Sequence, residues 1–302
     1  MLQILESIDP TIVILLFLSG LFIGLISSMV GIGGGLLNVP ILILIFDVPA
    51  FEATSISIFC IIFTSSTGAF IYSRQKRIDL RTGIYFVLFA VPSAFIGGIV
   101  ARSVDTSILT ITFGLLMLVV AFRKILAELQ ARKNNSVTTT ATVQLEEIKS
   151  SPNHSFIPKK IEQRLIIDSD GEKFRYDVRL RAMLVGAAFG GFIAGLLGVG
   201  GGVVYVPLLN SLGGIPPHIA VATSTFTIVF SALSGSLSRI LLGDLPADIW
   251  QYIPGLALGS IIGARFGATR VKKVSSEKVL VLFYIIVFIS GIRTIAKGLG
   301  WF

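Results

Sequence analysis

Charge is what this chain has least of. Only 14% of its 302 residues are Asp, Glu, Lys or Arg, against roughly 25% in an ordinary soluble domain, while 53% are hydrophobic and the mean hydropathy is +0.87. A soluble globular protein is excluded. The single cysteine, Cys60, lies inside an apolar run, so neither an internal disulfide nor a thiolate metal cluster can form. Histidine is nearly as scarce: His154 falls in a polar stretch and His218 at a helix start. They cannot complete a Ser-His-Asp triad, and metal-ligating side chains form no close cluster. The chain therefore reads as a non-enzyme needing no metal or cofactor. Residues 1 to 7 contain no basic leader region, so the first apolar run reads as a retained helix.

What the chain has in excess is uninterrupted apolar sequence. Stretches without Asp, Glu, Lys or Arg cover 10 to 46, 53 to 73, 82 to 101, 106 to 122, 182 to 238, 249 to 264 and 279 to 292. About 20 apolar residues cross a bilayer as a helix, so these runs hold roughly six to ten helical segments of an all-α polytopic membrane protein. A membrane β-barrel would alternate apolar and polar residues instead. The net charge of +8 would suggest nucleic acid in a soluble domain. Here the basic residues flank apolar runs, which reads as membrane topology and excludes nucleic acid as a partner.

The chain also repeats itself. Gly31-Ile-Gly-Gly-Gly-Leu-Leu-Asn-Val-Pro-Ile-Leu42 matches Gly198-Val-Gly-Gly-Gly-Val-Val-Tyr-Val-Pro-Leu-Leu209 at an offset of 167. The match continues with Ala53-Thr54-Ser55 against Ala222-Thr223-Ser224 after a two-residue gap. Further on, Asp79-Leu80 pairs with Asp244-Leu245, and Pro92 with Gly97 pairs with Pro254 with Gly259. Two homologous transmembrane halves follow, 11 to 126 and 182 to 298, joined by a polar linker over 127 to 181. Each half predicts a long helix (11 to 30; 182 to 197), a Gly-rich break and a short apolar segment (36 to 46; 203 to 212). Three longer helices complete it, near 52 to 73, 82 to 101 and 105 to 126, or near 218 to 240, 248 to 266 and 275 to 296. A segment of about 10 residues rises roughly 15 Å, half a bilayer, so each break predicts a re-entrant helical hairpin.

Lysine and arginine number four in 74 to 81, twelve in 123 to 181 and five in 265 to 278, but one each in 101 to 105 and 239 to 248. Placing the three basic loops in the cytoplasm of a cell-membrane protein requires an odd number of crossings per half. The two repeats are then inverted, with both termini outside; Arg293 and Lys297 run against this pattern. Within the linker, the run from 134 to 142 reads as disordered, and Asp170-Gly171 between apolar-rich arms reads as a hairpin turn. A plain linker fits that segment equally well.

Glycines let backbone unwind at membrane depth, and the half-helix that follows presents unpaired N–H groups with partial positive charge, an arrangement suited to an anion. The competing reading is that the glycines only permit close helix packing. A nucleotide loop is excluded because the Gly-Lys-Ser/Thr of a P-loop is missing. The candidate substrate-binding residues are Gly33, Gly34, Gly35 and Asn38 in one half and Gly200, Gly201, Gly202 and Tyr205 in the other. Thr54, Ser55, Thr223 and Ser224 join them, drawn from a wider set of hydroxyls that also includes Ser57, Thr64, Ser65 and Ser231. No charged residue sits at the centre of a predicted span, so a buried-carboxylate proton relay has no candidate. Arg239 and Arg265 end their spans and read as interfacial, with Arg239 near enough to the hydroxyl-rich helix to guide an anion.

Gly31-Ile-Gly-Gly-Gly followed by Val39-Pro40 and a later Ala-Thr-Ser, in two copies, resembles the sulfite exporter TauE/SafE family of membrane transporters. The resemblance covers both apolar halves but not 127 to 180, which is long for a compact member. It implies movement of sulfur-containing anions such as sulfite or organosulfonates. The expected function is a secondary transporter working by alternating access. Its expected partners are a small anion and the lipid bilayer; a homo-oligomer stays open. A passive anion channel of the same architecture, or a scaffold or sensor acting through the linker, are the alternatives.

Overall fold

A computed structural model describes residues 10 to 135, 162 to 178, 180 to 243, 247 to 270 and 276 to 301. In the first half, α1 (Pro10–Val30) is followed by α2 (Gly35–Ile45), α3 (Ala50–Arg74), α4 (Leu80–Ser103) and α5 (Thr106–Asn135). A hairpin of β1 (Glu162–Ile167) and β2 (Lys173–Val178) comes next. The second half holds α6 (Leu180–Leu197), α7 (Gly202–Pro207), α8 (Pro217–Leu241), α9 (Tyr252–Arg270) and α10 (Ser276–Gly298). The run from 134 to 142 lies almost wholly outside the described residues, as do residues 1 to 7, His154 and the Asp244-Leu245 match.

Local sequence explains where these helices begin. Pro49 and Pro216 precede α3 and α8, and α8 opens on Pro217, whose missing N–H costs nothing at a first helical position. Asp79 caps α4 by accepting from the Thr82 amide at 3.1 Å. The short segment of the second half differs from expectation, because α7 gives way after Pro207 to a π-helical turn, Leu208–Leu212. Proline supplies no N–H there, so the ladder loosens. Past its expected end at 126, α5 continues through Ala-Glu-Leu-Gln-Ala-Arg-Lys, good helix formers that extend it into polar sequence.

Five helices among the described residues are long and apolar enough to cross a membrane: α1, α3, α4, α8 and the Thr106–Arg123 portion of α5. Large apolar side chains point outward, among them Leu18, Leu88, Phe122, Val185 and Phe189, a surface that suits lipid and not water. The interior lies where α3 and α8 meet α2 and α7, around Val39, Leu42, Ile58, Ile61 and Ile228.

Helices pair across the halves. Gly20 and Gly24 of α1 face Leu256 and Ser260 of α9, while Gly263 and Gly267 of α9 face Leu21 and Leu25. The register rises together, so α1 and α9 run parallel, glycine against carbonyl, as close packing in lipid favours. The same pairing recurs between α4 and α6, where Gly191 faces Ala90 and Gly195 faces Ala94. Gly97 faces Phe192 and Gly267 faces Leu25, so α4 and α9 correspond at 170. That corrects the offset of 162 that matched Pro92 and Gly97 to Pro254 and Gly259. Between α3 and α8 the order reverses: Gly68 faces Thr225, Gly235 faces Ile58, and Arg239 bonds Thr54. Between α5 and α10 it reverses too, with Gly298 at Ser107 and Gly114 at Gly291. Gly83 and Gly98 of α4 face Phe226 and Ser238 of α8, and Phe59 of α3 meets Trp250 just before α9 while Gln75, just past α3, meets Ala268 of α9. Hence α1, α3 and α9 point one way, and α4, α6 and α8 the other.

The β-hairpin docks on the loop between α3 and α4. Arg77 reaches Asp168 at 2.9 Å with both side chains buried, and Arg164 grips both oxygens of Asp79 at 2.5 and 2.6 Å. Tyr176 donates to Asp79 at 3.1 Å, and the Ser169 amide donates to the Gln75 carbonyl. Gln75 also donates to the Ala268 carbonyl. The segments 74 to 81, 162 to 178 and 265 to 270 are therefore gathered at one end of the molecule. Lys297 lies at the opposite end, paired with Asp47 at 2.5 Å.

Candidate functional site

Three glycines in each break hold left-handed backbone: Gly31, Gly33 and Gly34 at φ +75, +84 and +97, and Gly198, Gly200 and Gly201 at +64, +79 and +76. That conformation would cost any other L-residue about 1–2 kcal/mol. The two unwound stretches cross. A methyl group on Gly35 would stand 2.5 Å from both the Gly198 carbonyl oxygen and Val199 Cα, and one on Gly202 would stand 2.5 Å from the Gly31 oxygen. Ile61 of α3 and Ile228 of α8 close over Gly33 and Gly200. Each isoleucine is twelfth in a helix of 25 residues, so the crossing sits at mid-length of both central helices. There α2 and α7 begin, each with its positive end at the crossing.

Polar atoms at the crossing are left without hydrogen-bond partners. Asn38 Nδ2 and Ser65 Oγ are buried and unpartnered, and the buried Tyr205 Oη has only Ser231 beside it, without a well-formed hydrogen bond; unmet polar groups in an apolar interior are costly. Ser65 Oγ lies 3.3 Å from where a Gly33 Cβ would be, Asn38 Nδ2 3.7 Å from that of Gly34, and Tyr205 Oη 2.8 Å from that of Gly201. Asn38 and Tyr205 occupy equivalent positions, 1% and 0% exposed. Gly33, Gly35, Gly200 and Gly202 are thus brought together across the two breaks, while Gly34 with Asn38 and Gly201 with Tyr205 pack within their own half-helices, Tyr205 also against Gly190 and Phe86.

The four favoured hydroxyls divide. Ser224 Oγ donates to the Gly31 carbonyl at 2.9 Å and braces the first break. Thr223 instead accepts from the Asp79 amide. Thr54 and Ser55 donate to the Phe51 carbonyl and accept from Arg239, away from the crossing. The partner of Ser224 is Ser57, which donates to the Gly198 carbonyl at 2.7 Å. The two-residue gap after the glycine motif is therefore corrected: α3 and α8 correspond without a gap at 167. In that register, Ala53, Ser57, Phe59, Ile61, Phe63 and Gly68 are identical to Ala220, Ser224, Phe226, Ile228, Phe230 and Gly235. An ungapped comparison would have singled out Ser57; nothing in the sequence marks Ser65 as the unpartnered hydroxyl.

The same spacing pairs Tyr72 with Arg239. Tyr72 donates to the Ser28 carbonyl at 2.6 Å and Arg239 to the Gly195 carbonyl at 2.9 Å, the last turns of α1 and α6 before their breaks. Arg239 is 1% exposed, which corrects the expectation of an interfacial side chain. Arg265 and His218 are exposed; His218 lies at its helix start as expected, whereas α9 continues past Arg265 to Arg270. Outside the spans, burial and then the neighbouring Asp79 carboxylate hold the Tyr176 phenol above its ordinary range, against the opposing charge of Arg164.

The family model for the sulfite exporter TauE/SafE matches residues 16 to 294. The chain belongs to the TauE/SafE family. Its relatives are named as membrane transporters, not enzymes. It is 27% identical over 293 residues to the probable membrane transporter protein YunE of Bacillus subtilis, covering 95% of this chain and 98% of that one. A probable membrane transporter of Methanocaldococcus jannaschii is 26% identical over 82% of this chain and 78% of its own length. Sulfite exporter TauE/SafE family protein 3 of Arabidopsis thaliana is 32% identical over 36% of this chain and 23% of its own. No solved structure matches the chain. As a TauE/SafE transporter the protein works in a membrane on a small solute.

Proposed function

We propose that this transporter moves small sulfur-containing anions, sulfite or organosulfonates, across the cell membrane by alternating access of two inverted repeats, 11 to 126 and 182 to 298. The observation that carries the reading is the mid-helix crossing itself, with the unpartnered Asn38 Nδ2 and Ser65 Oγ beside it and two helix starts meeting there. Neutral donors satisfy an oxyanion while leaving no fixed charge at that depth once it departs. Inversion is supported by helix direction, since α3 and α8, α4 and α9, α1 and α6, and α5 and α10 each run opposite ways. Re-entry is supported by α1 and α2: Ser28 meets Tyr72 near the end of α3, Gly33 meets Ile61 at its middle, and residues 46 to 49 then lead to its start. Grouping of the basic segments at one end supports placing that end in the cytoplasm.

Substrate at the crossing must displace Ile61 and Ile228, which lie over both glycine turns. Their closure describes an occluded state, and opening toward one face at a time follows if the two halves rock about α3 and α8. The test is uptake of radiolabelled sulfite into sulfite-loaded proteoliposomes, competed with sulfonates, sulfate and chloride. Saturable exchange is expected. Conductance without saturation would instead make the protein a channel, and no exchange of any anion by folded protein overturns the reading.

A further inference from the structure

We propose that Arg239 is the fixed positive charge that receives the anion on the face where α8 ends, exchanging its neutral oxygen partners for the substrate as that face opens. This rests on the anion-transport reading above. The guanidinium is wholly buried, and every partner it has is neutral. Nη1 donates to the Phe51 carbonyl at 3.1 Å, Thr54 Oγ1 at 3.0 Å and Ser55 Oγ at 2.5 Å. Nη2 donates to the carbonyls of Gly195 and Leu196 at 2.9 and 3.4 Å, and the Phe51 ring lies 5.0 Å from the guanidinium carbon. Nε has no partner. Among the described residues no carboxylate pairs with it. A buried cation without a counter-charge is among the most costly features a membrane interior can hold, and one that is present marks a pathway for charge.

Tying helix ends together does not account for that cost. In the other repeat the equivalent position is Tyr72, whose neutral hydroxyl makes the corresponding bond to the Ser28 carbonyl. A tyrosine is therefore sufficient for the brace. What arginine adds is charge and a planar fork of donors that matches an oxyanion. Its position suits that role as well, because Gly198 packs against the Thr54 carbonyl and Thr54 Oγ1 holds Arg239. The charge thus stands one residue from the second break, on the route from the crossing to that face. The opposite route, past Tyr72, has no such charge at the equivalent position. The two faces should accordingly differ in affinity for the anion, the Arg239 face being the tighter.

The experiment compares wild type with R239Y, which copies the neutral brace of the other repeat, and with R239K. Sulfite exchange is measured in proteoliposomes at varied external and internal concentration, with folding followed by size-exclusion chromatography. R239Y should raise KM on one face by about tenfold or more, as loss of a buried charge partner does, and leave KM on the other face within about twofold. R239K should restore part of the loss. An R239Y protein with wild-type KM on both faces overturns the proposal while leaving the transport reading intact; absence of exchange in the wild type overturns both. A second measurement needs no variant. Phenylglyoxal modification of Arg239 in wild-type protein, read by peptide mass, should slow several-fold when a saturating organosulfonate that competes for exchange is bound, since a sulfonate, unlike sulfite, does not add to the reagent; an unchanged rate overturns the proposal equally.

Discussion

Gly35 and Gly202 differ in kind from the glycines beside them. Both lie in the first turns of helices with ordinary backbone, so alanine fits their conformation, and what it meets is the other repeat's main chain. A methyl on Gly35 would press on Gly198 and Val199, and one on Gly202 on Gly31 and Ile32. Backbone cannot yield as a side-chain tip does, and overpacking of this kind costs about 1–3 kcal/mol. Gly35→Ala and Gly202→Ala should therefore each lower the thermal unfolding temperature in detergent by a few degrees and reduce sulfite exchange by more than about tenfold, since the breaks are held apart at the substrate position. Gly171→Ala is the control. It has positive φ but nothing within 4 Å, so it should leave exchange unchanged. Full exchange by Gly35→Ala would remove the crossing from the mechanism.

The β-hairpin turns part of the linker into a structural component of the transporter's basic end. Asp168 accepts from the amides of Asp170 and Glu172 as well as from Arg77, so its carboxylate fixes the turn and the dock together. Removing Arg77 leaves that carboxylate buried without its strongest partner, at a cost of about 3–5 kcal/mol. Arg77→Ala should release the hairpin, seen as faster hydrogen exchange over 162 to 178 with α1 and α9 unaffected; unchanged protection would show that the Asp79 contacts alone hold it. Alkali should act through Tyr176. Its phenol is held above the ordinary value, so the folded state binds the proton more tightly than the unfolded state. The stabilisation is complete below about pH 10 and declines above it as the unfolded phenol ionises. Tyr176→Phe should remove that part of the pH dependence. The Asp170-Gly171 turn made this hairpin readable from sequence, whereas its docking depends on pairings such as Arg77 with Asp168, 91 positions apart, which no local pattern encodes.

Charge-free runs made the all-α membrane architecture legible and a duplicated glycine motif marked the breaks, because in lipid each helix must be long, apolar and internally hydrogen-bonded. What they could not carry was register. The recurrence of Ala-Thr-Ser in both halves drew the comparison two residues out of step, hiding Ser57 and the pairing of Tyr72 with Arg239. Arg239 looked interfacial because it ends its helix, yet the first turn of α3 and the last turn of α6 cover it. The placement of Ser65 was equally out of reach: of the hydroxyls along α3, only packing against Gly33 distinguishes it. That position now tests motion of the two halves. Ser65→Cys in a Cys60→Ser background puts the sole thiol at a site only 1% exposed beside the crossing. A membrane-impermeant methanethiosulfonate reagent should label it from either face of the bilayer, and a saturating organosulfonate that competes for exchange, which unlike sulfite neither consumes the reagent nor cleaves the mixed disulfide, should slow both reactions several-fold. Labelling from one face alone would limit the molecule to a single-sided cavity and exclude alternating access.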